Sequence, residues 1–308
     1  MRKGRGFAAL FFWRNACANK TAMSTVLITG ASSGIGREAA VRLAERGHHV
    51  IAAARTVPAL EQVRRTTKGR VDTLELDVTS QDSIDAAKRE IASLIGQNGI
   101  DVLINNAAYT LTGPLEEVGD AELKAQFETN VFGPMRMVRT FVPQMRERGT
   151  GRIINISSVV GRLALPFFGP YNATKHAIEA LSDSLRNELK PFGIDVVIIE
   201  PGAINTGITE SERSAMERHA TEGSPYAEQI TKLLAFQKDM NANAAKPEIV
   251  ARAIVRAVEA EKPRARYVVP LLRARALIAI AEFLPTEVSD ALLRNVIGLR
   301  SARPTSST

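Results

Sequence analysis

The sequence predicts an α/β fold in three layers, a seven-stranded parallel sheet flanked by helices. Three observations predict it. Short apolar runs alternate with segments of helical period along most of the chain. Those runs are near-continuous in Val, Ile and Leu, which requires burial on both faces of a sheet. The composition, 45% hydrophobic and 24% charged over 308 residues, is that of an ordinary globular protein, and α/β folds of this length often form one domain.

Taken in order, the strands read "TVLITG" (25–30), "HVIAAAR" (49–55), "VDTLELDV" (71–78), "IDVLINNA" (100–107), "GRIINIS" (151–157), "IDVVIIEPG" (194–202) and "RYVVP" (266–270). Helical patterns lie between them, including Ile35–Arg46, Ser83–Ile95, Ala121–Arg148, Gly169–Lys190 and Glu248–Glu259. Together they outline one domain over 23–270. The segment 205–246 breaks the rhythm. It is polar, rich in Glu, Ser and Thr, with one apolar stretch, "ITKLLAF". An insertion of that length is expected to be a substrate lid.

Residues 271–308 form an apolar tail. Arg273, Arg275 and Glu282 interrupt it and Pro285 stops it, so no run of ~20 apolar residues is available for an integral membrane span. An amphipathic helix pair packed on the body or across a subunit interface is expected; a membrane-surface contact or a cap over a lipophilic substrate are the alternatives. The polar end "SARPTSST" is expected to be disordered.

The net charge is +7, but residues 1–22 hold five basic residues and no acid, which leaves only +2 on the rest. A nucleic-acid partner needs a basic stripe on the folded body, so none is expected. Residues 1–22 themselves read as a disordered leader or a mis-assigned start, with Met23 just before the first strand. A signal or anchor is the alternative, although the apolar run Phe7–Trp13 is at the short limit of ~7–15 residues and no clean cleavage site follows. Cys17 is the single cysteine, which excludes an intrachain disulfide framework and a Cys-rich metal site and fits a cytoplasmic location.

The chemistry lies at the predicted strand ends. "TGASSGIG" (29–36) joins the first strand to the first helix, where glycines let the backbone approach a pyrophosphate at the helix N-terminus. About 20 residues on, where an NAD-specific chain carries an acid, this one has Ala54 and then Arg55. A guanidinium can grip a 2′-phosphate, so NADP(H) is expected over NAD(H). Asp77 in "LDV" could accept from an adenine amino group, or could simply start a turn. "NNAA" (105–108) brings small side chains where a ribose would pass.

Tyr171 and Lys175 stand one helical turn apart in "YNATK", and Ser157 and Ser158 close the fifth strand. A carbonyl receiving hydride needs a proton donor and a second hydrogen bond. A phenol donates, but its ordinary pKa is ~10; a nearby ammonium favours the phenolate and lowers it. Asn130, in "ETNVFG", is a poor mid-helix residue that could hold a relay water or mark a local helix distortion.

"TGASSGIG", "LDV", "NNAA", "TNVFG", "SSVVG", "YNATK" and "EPGAINTG" fall in order and in place, and with them the chain closely resembles the short-chain dehydrogenase/reductase family from about Thr25 to Pro270. The resemblance is to its single-domain branch with a seven-stranded Rossmann sheet. It implies an alcohol–carbonyl oxidoreductase with Tyr171 as acid/base, Lys175 tuning it and binding the nicotinamide ribose, Ser158 orienting the substrate oxygen, and Asn130 supporting a relay. Cofactor contacts are expected from Gly30, Ser32, Ser33, Gly34, Ile35, Gly36, Arg55, Asp77, Val78, Asn105, Ala107, Tyr171, Lys175, Pro201, Gly202, Ile204 and Thr206, with no metal. One departure is Ala108, where the family usually has Gly. Leu163, Leu165, Phe167 and Phe168 before Tyr171 suggest a lipophilic substrate, steroid-like or retinoid-like. A homodimer or homotetramer is implied. A carrier-bound 3-oxoacyl reductase and a non-catalytic NADP-sensing protein are the alternatives; the second would be expected to lack Tyr171 or Lys175.

Overall fold

The computed structural model describes residues 23–96, 99–205, 216–220, 223–242, 244–270, 278–279 and 282–299. The strands are β1 (Thr25–Thr29), β2 (His49–Ala54), β3 (Val71–Glu75), β4 (Val102–Asn105), β5 (Gly151–Ile156), β6 (Ile194–Pro201) and β7 (Arg266–Val269). They form one sheet in the order β3-β2-β1-β4-β5-β6-β7, every pairing parallel. The order reverses between β1 and β4. In an open α/β sheet that is where the strand ends part to make a crevice.

Both faces of the sheet are covered. The helices are α1 (Gly34–Glu45), α2 (Val57–Thr66), α3 (Gln81–Ile95), α4 (Asp120–Phe127), α5 (Gly133–Arg148), α6 (Gly169–Leu189), α7 (Ala227–Ala242), α8 (Pro247–Glu259) and α9 (Thr286–Ile297). Alternate strand residues serve opposite layers, as the two-residue period of a strand demands. Val26, Ile28, Val50 and Ala52 pack with α1, α2 and α8. Leu27, Ile51 and Leu103 pack with α3 and α5. Hence the near-continuous apolar strands.

Three expectations change in detail. The strands stop earlier: β3 ends at Glu75 and β4 at Asn105, so Asp77, Val78 and Ala107 belong to the loops beyond the sheet. The expected helix 121–148 is broken by a π-helical turn, Glu128–Phe132, in which Gly133 N donates to Glu128 O five residues back. The cause is legible: Pro134 has no N–H to give the carbonyl of Asn130 four residues earlier. The expected lid is not all loop, since "ITKLLAF" falls inside α7, which contributes buried Ile230 and Leu233.

Part of the described tail packs on the rest of the chain, while Phe283, Val288 and Leu292 stay exposed. Ile278 joins Val159, Val160 and Leu163, and Ile297 joins Met216, Ile230 and Leu233. Among the described residues no helix is long and apolar enough to cross a membrane.

Candidate active site

The glycine-rich turn between β1 and α1 is built for close approach. Gly30 has φ +66° and Gly34 φ +54°, both left-handed. A Cβ on Gly30 would stand 2.8 Å from Ala107 Cα, and one on Gly36 would stand 2.4 Å from Gly30 O. Ser33, the extended N-cap of α1, makes no side-chain cap bond, and the first turn carries no acid. Ser32 is half-buried, Ser33 exposed, and Ile35 packs on the core. Backbone amides and a positive dipole end therefore face the crevice without a built-in anion, which fits a pyrophosphate.

The turn is held from the neighbouring strand. Asn106 Nδ2 donates to Thr29 O at 2.9 Å and to Gly30 O at 3.0 Å, while Asn106 N and Ala107 N both donate to Thr29 Oγ1. Neither Thr29 nor Asn106 was singled out from the sequence, although both stand inside the quoted motifs. Asn105 is placed differently from what a ligand contact needs. Its side chain is buried and donates to Asn155 Oδ1 at 2.9 Å, and Asn155 donates on to Ser182 Oγ.

Farther along the crevice Arg55 is exposed at the end of β2. Burial alone would raise the Asp77 carboxyl, but hydrogen bonds from Thr79 and the charge of Arg55 hold it below the usual carboxylate range. Thr79 takes its Oδ1 through both N–H and hydroxyl. Val78 is buried against Gly133, where a Cβ would come within 2.8 Å. Ala108 is exposed and does not have a positive φ, so its methyl meets no backbone strain.

At the far end of the crevice, Ser158 follows β5 and Tyr171 and Lys175 lie in the first turns of α6. Ser158 Oγ reaches Pro201 O at 3.3 Å and accepts from Val160 N. Lys175 is only 3% exposed and donates from Nζ to Ile156 O at 2.8 Å. Burial pulls its pKa down to about 8, opposed by the charge of Glu179. Its Nζ lies 5.5 Å from the Tyr171 ring centre, so phenol and ammonium share one pocket. This set can donate a proton and stabilise the anion left behind.

Asn130, 2% exposed, uses its side chain elsewhere. Nδ2 donates to Tyr109 O and Thr174 Oγ1, and Oδ1 accepts from Tyr109 N. Thr174 in turn donates to Tyr171 O. The Asn130 side chain is thus committed to Tyr109 and Thr174, and the local helix distortion expected as the other reading is present as the π turn. Pro201 ends β6, Gly202 N donates to Val269 O, and Ile204 bridges to Ala245. Thr206 lies outside the described residues. Among the described residues no cluster of His, Cys, Asp and Glu could hold a metal.

Around Tyr171 the crevice is lined by less deeply anchored elements. Leu165 and Val268 pack around Tyr171 with Val159, Val160, Leu163 and Ile278. Phe167, with φ +67°, meets Tyr226 edge-on at 6.1 Å. Across the rim Tyr226 Oη donates to Glu116 and His219 Nδ1 pairs with Glu117, both at 2.6 Å.

The family profile described as short chain dehydrogenase matches residues 24–217. The uncharacterized oxidoreductase YbbO of Escherichia coli (strain K12) is 35% identical over 89% of this chain and 96% of its own. An NADPH-dependent 3-dehydrocapnine reductase of Ornithobacterium rhinotracheale is 33% identical over 80% and 88%. Human 17-beta-hydroxysteroid dehydrogenase type 1 is 35% identical over 82% and 81%. Among solved structures, a short-chain dehydrogenase from Streptomyces avermitilis superposes with TM-score 0.71 at 34% identity, covering 90% of this chain and 96% of that one. One from Burkholderia phymatum in complex with NAD reaches TM-score 0.73 at 26% identity, over 85% and 93%.

Two outcomes test this geometry. Asn106→Ala removes two hydrogen bonds from the glycine turn, worth ~1–3 kcal/mol together. A fluorescence titration is expected to show dinucleotide binding weakened about tenfold or more; an unchanged Kd would show that the turn holds itself. Lys175 bears a folded-state cost that is complete below pH 8, falls as pH rises from about 8 to 10.5, and is absent above. Lys175→Met is therefore expected to stabilise the fold at pH 7, on the order of 3 kcal/mol at most for that shift, with the gain fading toward pH 10.5 in denaturant melts.

Proposed function

The chain belongs to the short-chain dehydrogenase/reductase family of oxidoreductases, and we propose that it interconverts a lipophilic alcohol and its ketone or aldehyde with NADP(H). The observation that carries the reading is the buried Lys175 ammonium beside Tyr171, with Ser158 at the adjoining strand end. When bound, the dinucleotide supplies or accepts the hydride.

The residues of the chain do the rest. Ser158 donates to the substrate oxygen and fixes its place, an exchange its long 3.3 Å bond to Pro201 O permits. Tyr171 gives that oxygen a proton in reduction and removes it in oxidation. Lys175, held on Ile156 O, supplies the positive charge that stabilises the phenolate left when the proton has moved. Its remaining N–H groups would hold the nicotinamide ribose. The carbonyl of Asn130, without its α-helical donor, holds the water through which the proton is replaced from solvent.

Along the crevice we assign the pyrophosphate to Gly30, Ser32, Ser33, Gly34, Ile35 and Gly36, and the adenine end to Asp77 and Val78. Ala107, Pro201, Gly202, Ile204 and Thr206 border the ribose and nicotinamide, with Asn105 behind them acting through the sheet. Arg55 carries the NADP(H) preference: it stands exposed where a 2′-phosphate would lie, with no acid on that strand end. The NADPH-dependent relative supports this, while the Burkholderia phymatum neighbour binds NAD. The apolar wall at Tyr171 and the steroid-acting relative support a lipophilic substrate. Residues 205–246 serve as its lid. Exposed Phe132, in the turn between α4 and α5, supports a homo-oligomer, and the single cysteine supports a cytoplasmic site of action.

Tyr171→Phe is expected to keep NADPH binding yet lose at least ~100-fold in kcat, the scale of a lost general acid; full turnover with any carbonyl the parent reduces would sink the mechanism. A panel of ketones, aldehydes and secondary alcohols, read by NADPH absorbance, supplies the substrate. With it, Arg55→Ala is expected to raise KM for NADPH at least ~10-fold and leave NADH nearly unchanged. Equal effects on both cofactors would remove Arg55 from the 2′-phosphate.

A further inference from the structure

Burial favours the neutral form of Lys175, so the charges around it matter. On α6 these are Tyr171 one turn before, Glu179 one turn after and Asp183 a turn beyond, a row with a spacing of four. From other elements come Glu200 on β6, Arg266 on β7, and Arg162 in the loop after β5, which is bonded to Glu282 of the tail.

An acid one turn from a buried ammonium would ordinarily close on it. Here it does not. Lys175 Nζ donates to Ile156 O, and Glu179 Oε2 accepts from Arg266 Nη2 at 3.0 Å. Glu179 Oε1 is buried without a hydrogen-bond partner. Arg266 also grips Asp183 at 2.7 and 2.8 Å, and its Nε stands 2.9 Å from Glu200 Oε1, out of line for a hydrogen bond. Glu200 is 0% exposed, and its carboxyl is raised by burial and by Glu179 against the pull of Arg162 and Arg266. Room for this packing comes from Gly161, where a Cβ would fall 2.9 Å from Ser157 Oγ and 3.1 Å from Glu179 Cγ.

We propose that Glu179, held by Arg266, is a positioning residue for Lys175. It supplies the negative charge that keeps the buried ammonium protonated, from a distance that leaves Nζ at the strand end beside Tyr171. Arg266 draws the carboxylate off Nζ and prevents a direct ion pair. The inference rests on the reading of Tyr171 and Lys175 as the proton-transfer pair. A network that only tied α6 to β6 and β7 would act on stability and leave the titration of Lys175 alone.

The test is an NMR titration of the full, cofactor-free chain carrying 13C-labelled lysine. Lys175, with its pKa near 8, is distinct from surface lysines near ~10.4, and its signal is identified by its loss in Lys175→Met. Glu179→Gln is expected to lower the Lys175 midpoint by about half a pH unit or more, an ammonium-to-amine ratio about threefold lower at a fixed pH. Asp183→Asn, one turn farther out, is expected to move it much less. Arg266→Met is expected to raise it, as Glu179 closes on Nζ. An unmoved midpoint in Glu179→Gln, or an equal shift in Asp183→Asn, would overturn the proposal. Those two isosteric variants decide it even where Arg266→Met does not fold. The titration requires no turnover, so its failure and a fully active Tyr171→Phe are separate results.

Discussion

A parallel sheet covered on both faces has one place for polar chemistry, the ends of its strands. Between α1, α2 and α8 on one side and α3 and α5 on the other the packing is mainly apolar, and the buried polar groups of the strands, such as Asn155 and Glu200, face partners toward the strand ends. The loops after β1, β4, β5 and β6 therefore all open on one rim, and the reversal of strand order between β1 and β4 parts that rim into a crevice. A glycine turn that can meet a pyrophosphate, and a Tyr–Lys–Ser set that can move a proton, come together because the sheet permits them nowhere else.

The rim is stiffened by polar contacts that touch no ligand. Thr29 and Asn106 bind the glycine turn to the loop after β4, and a buried Asn105–Asn155–Ser182 relay crosses from β4 through β5 to α6. Such groups are costly to bury alone and rigid once satisfied. Their effect is to fix the helix carrying Lys175 relative to the turn that would hold the phosphates, which is the precision that hydride transfer needs.

The substrate side is constructed differently. Phe167, Phe168, α7 and α9 share a small apolar cluster of their own, and Ile278 closes another over Tyr171. These clusters are separate from the two main cores, and ion pairs and hydrogen bonds at the rim, such as Tyr226–Glu116, join them to the body. On the proposed function, chemistry would sit on the rigid part and substrate choice on the part with fewer constraints, the division expected when function is carried by loops on a fixed scaffold.

The sequence by itself determined the sheet and its parallel sense, and it placed the glycine turn and the Tyr–Lys pair at strand ends, because two-sided burial writes continuous Val/Ile/Leu runs and because glycine turns and a Tyr–Lys pair are local patterns. The sequence runs two strands on too far, through Leu76 and Val78 after β3 and through Ala107 after β4, since an apolar residue after a strand looks like the strand itself. The π turn at Asn130 was foreshadowed by Pro134, yet helix period alone joined α4 to α5. Only the tertiary structure decided what pairs across long separations: Asn106 with Gly30, Asn105 with Asn155, and Glu179 with Arg266, 87 residues apart. No periodicity encodes such partners. They exist because the fold brings separate strand ends into one low-dielectric rim, where each polar group must find a partner or remain at cost.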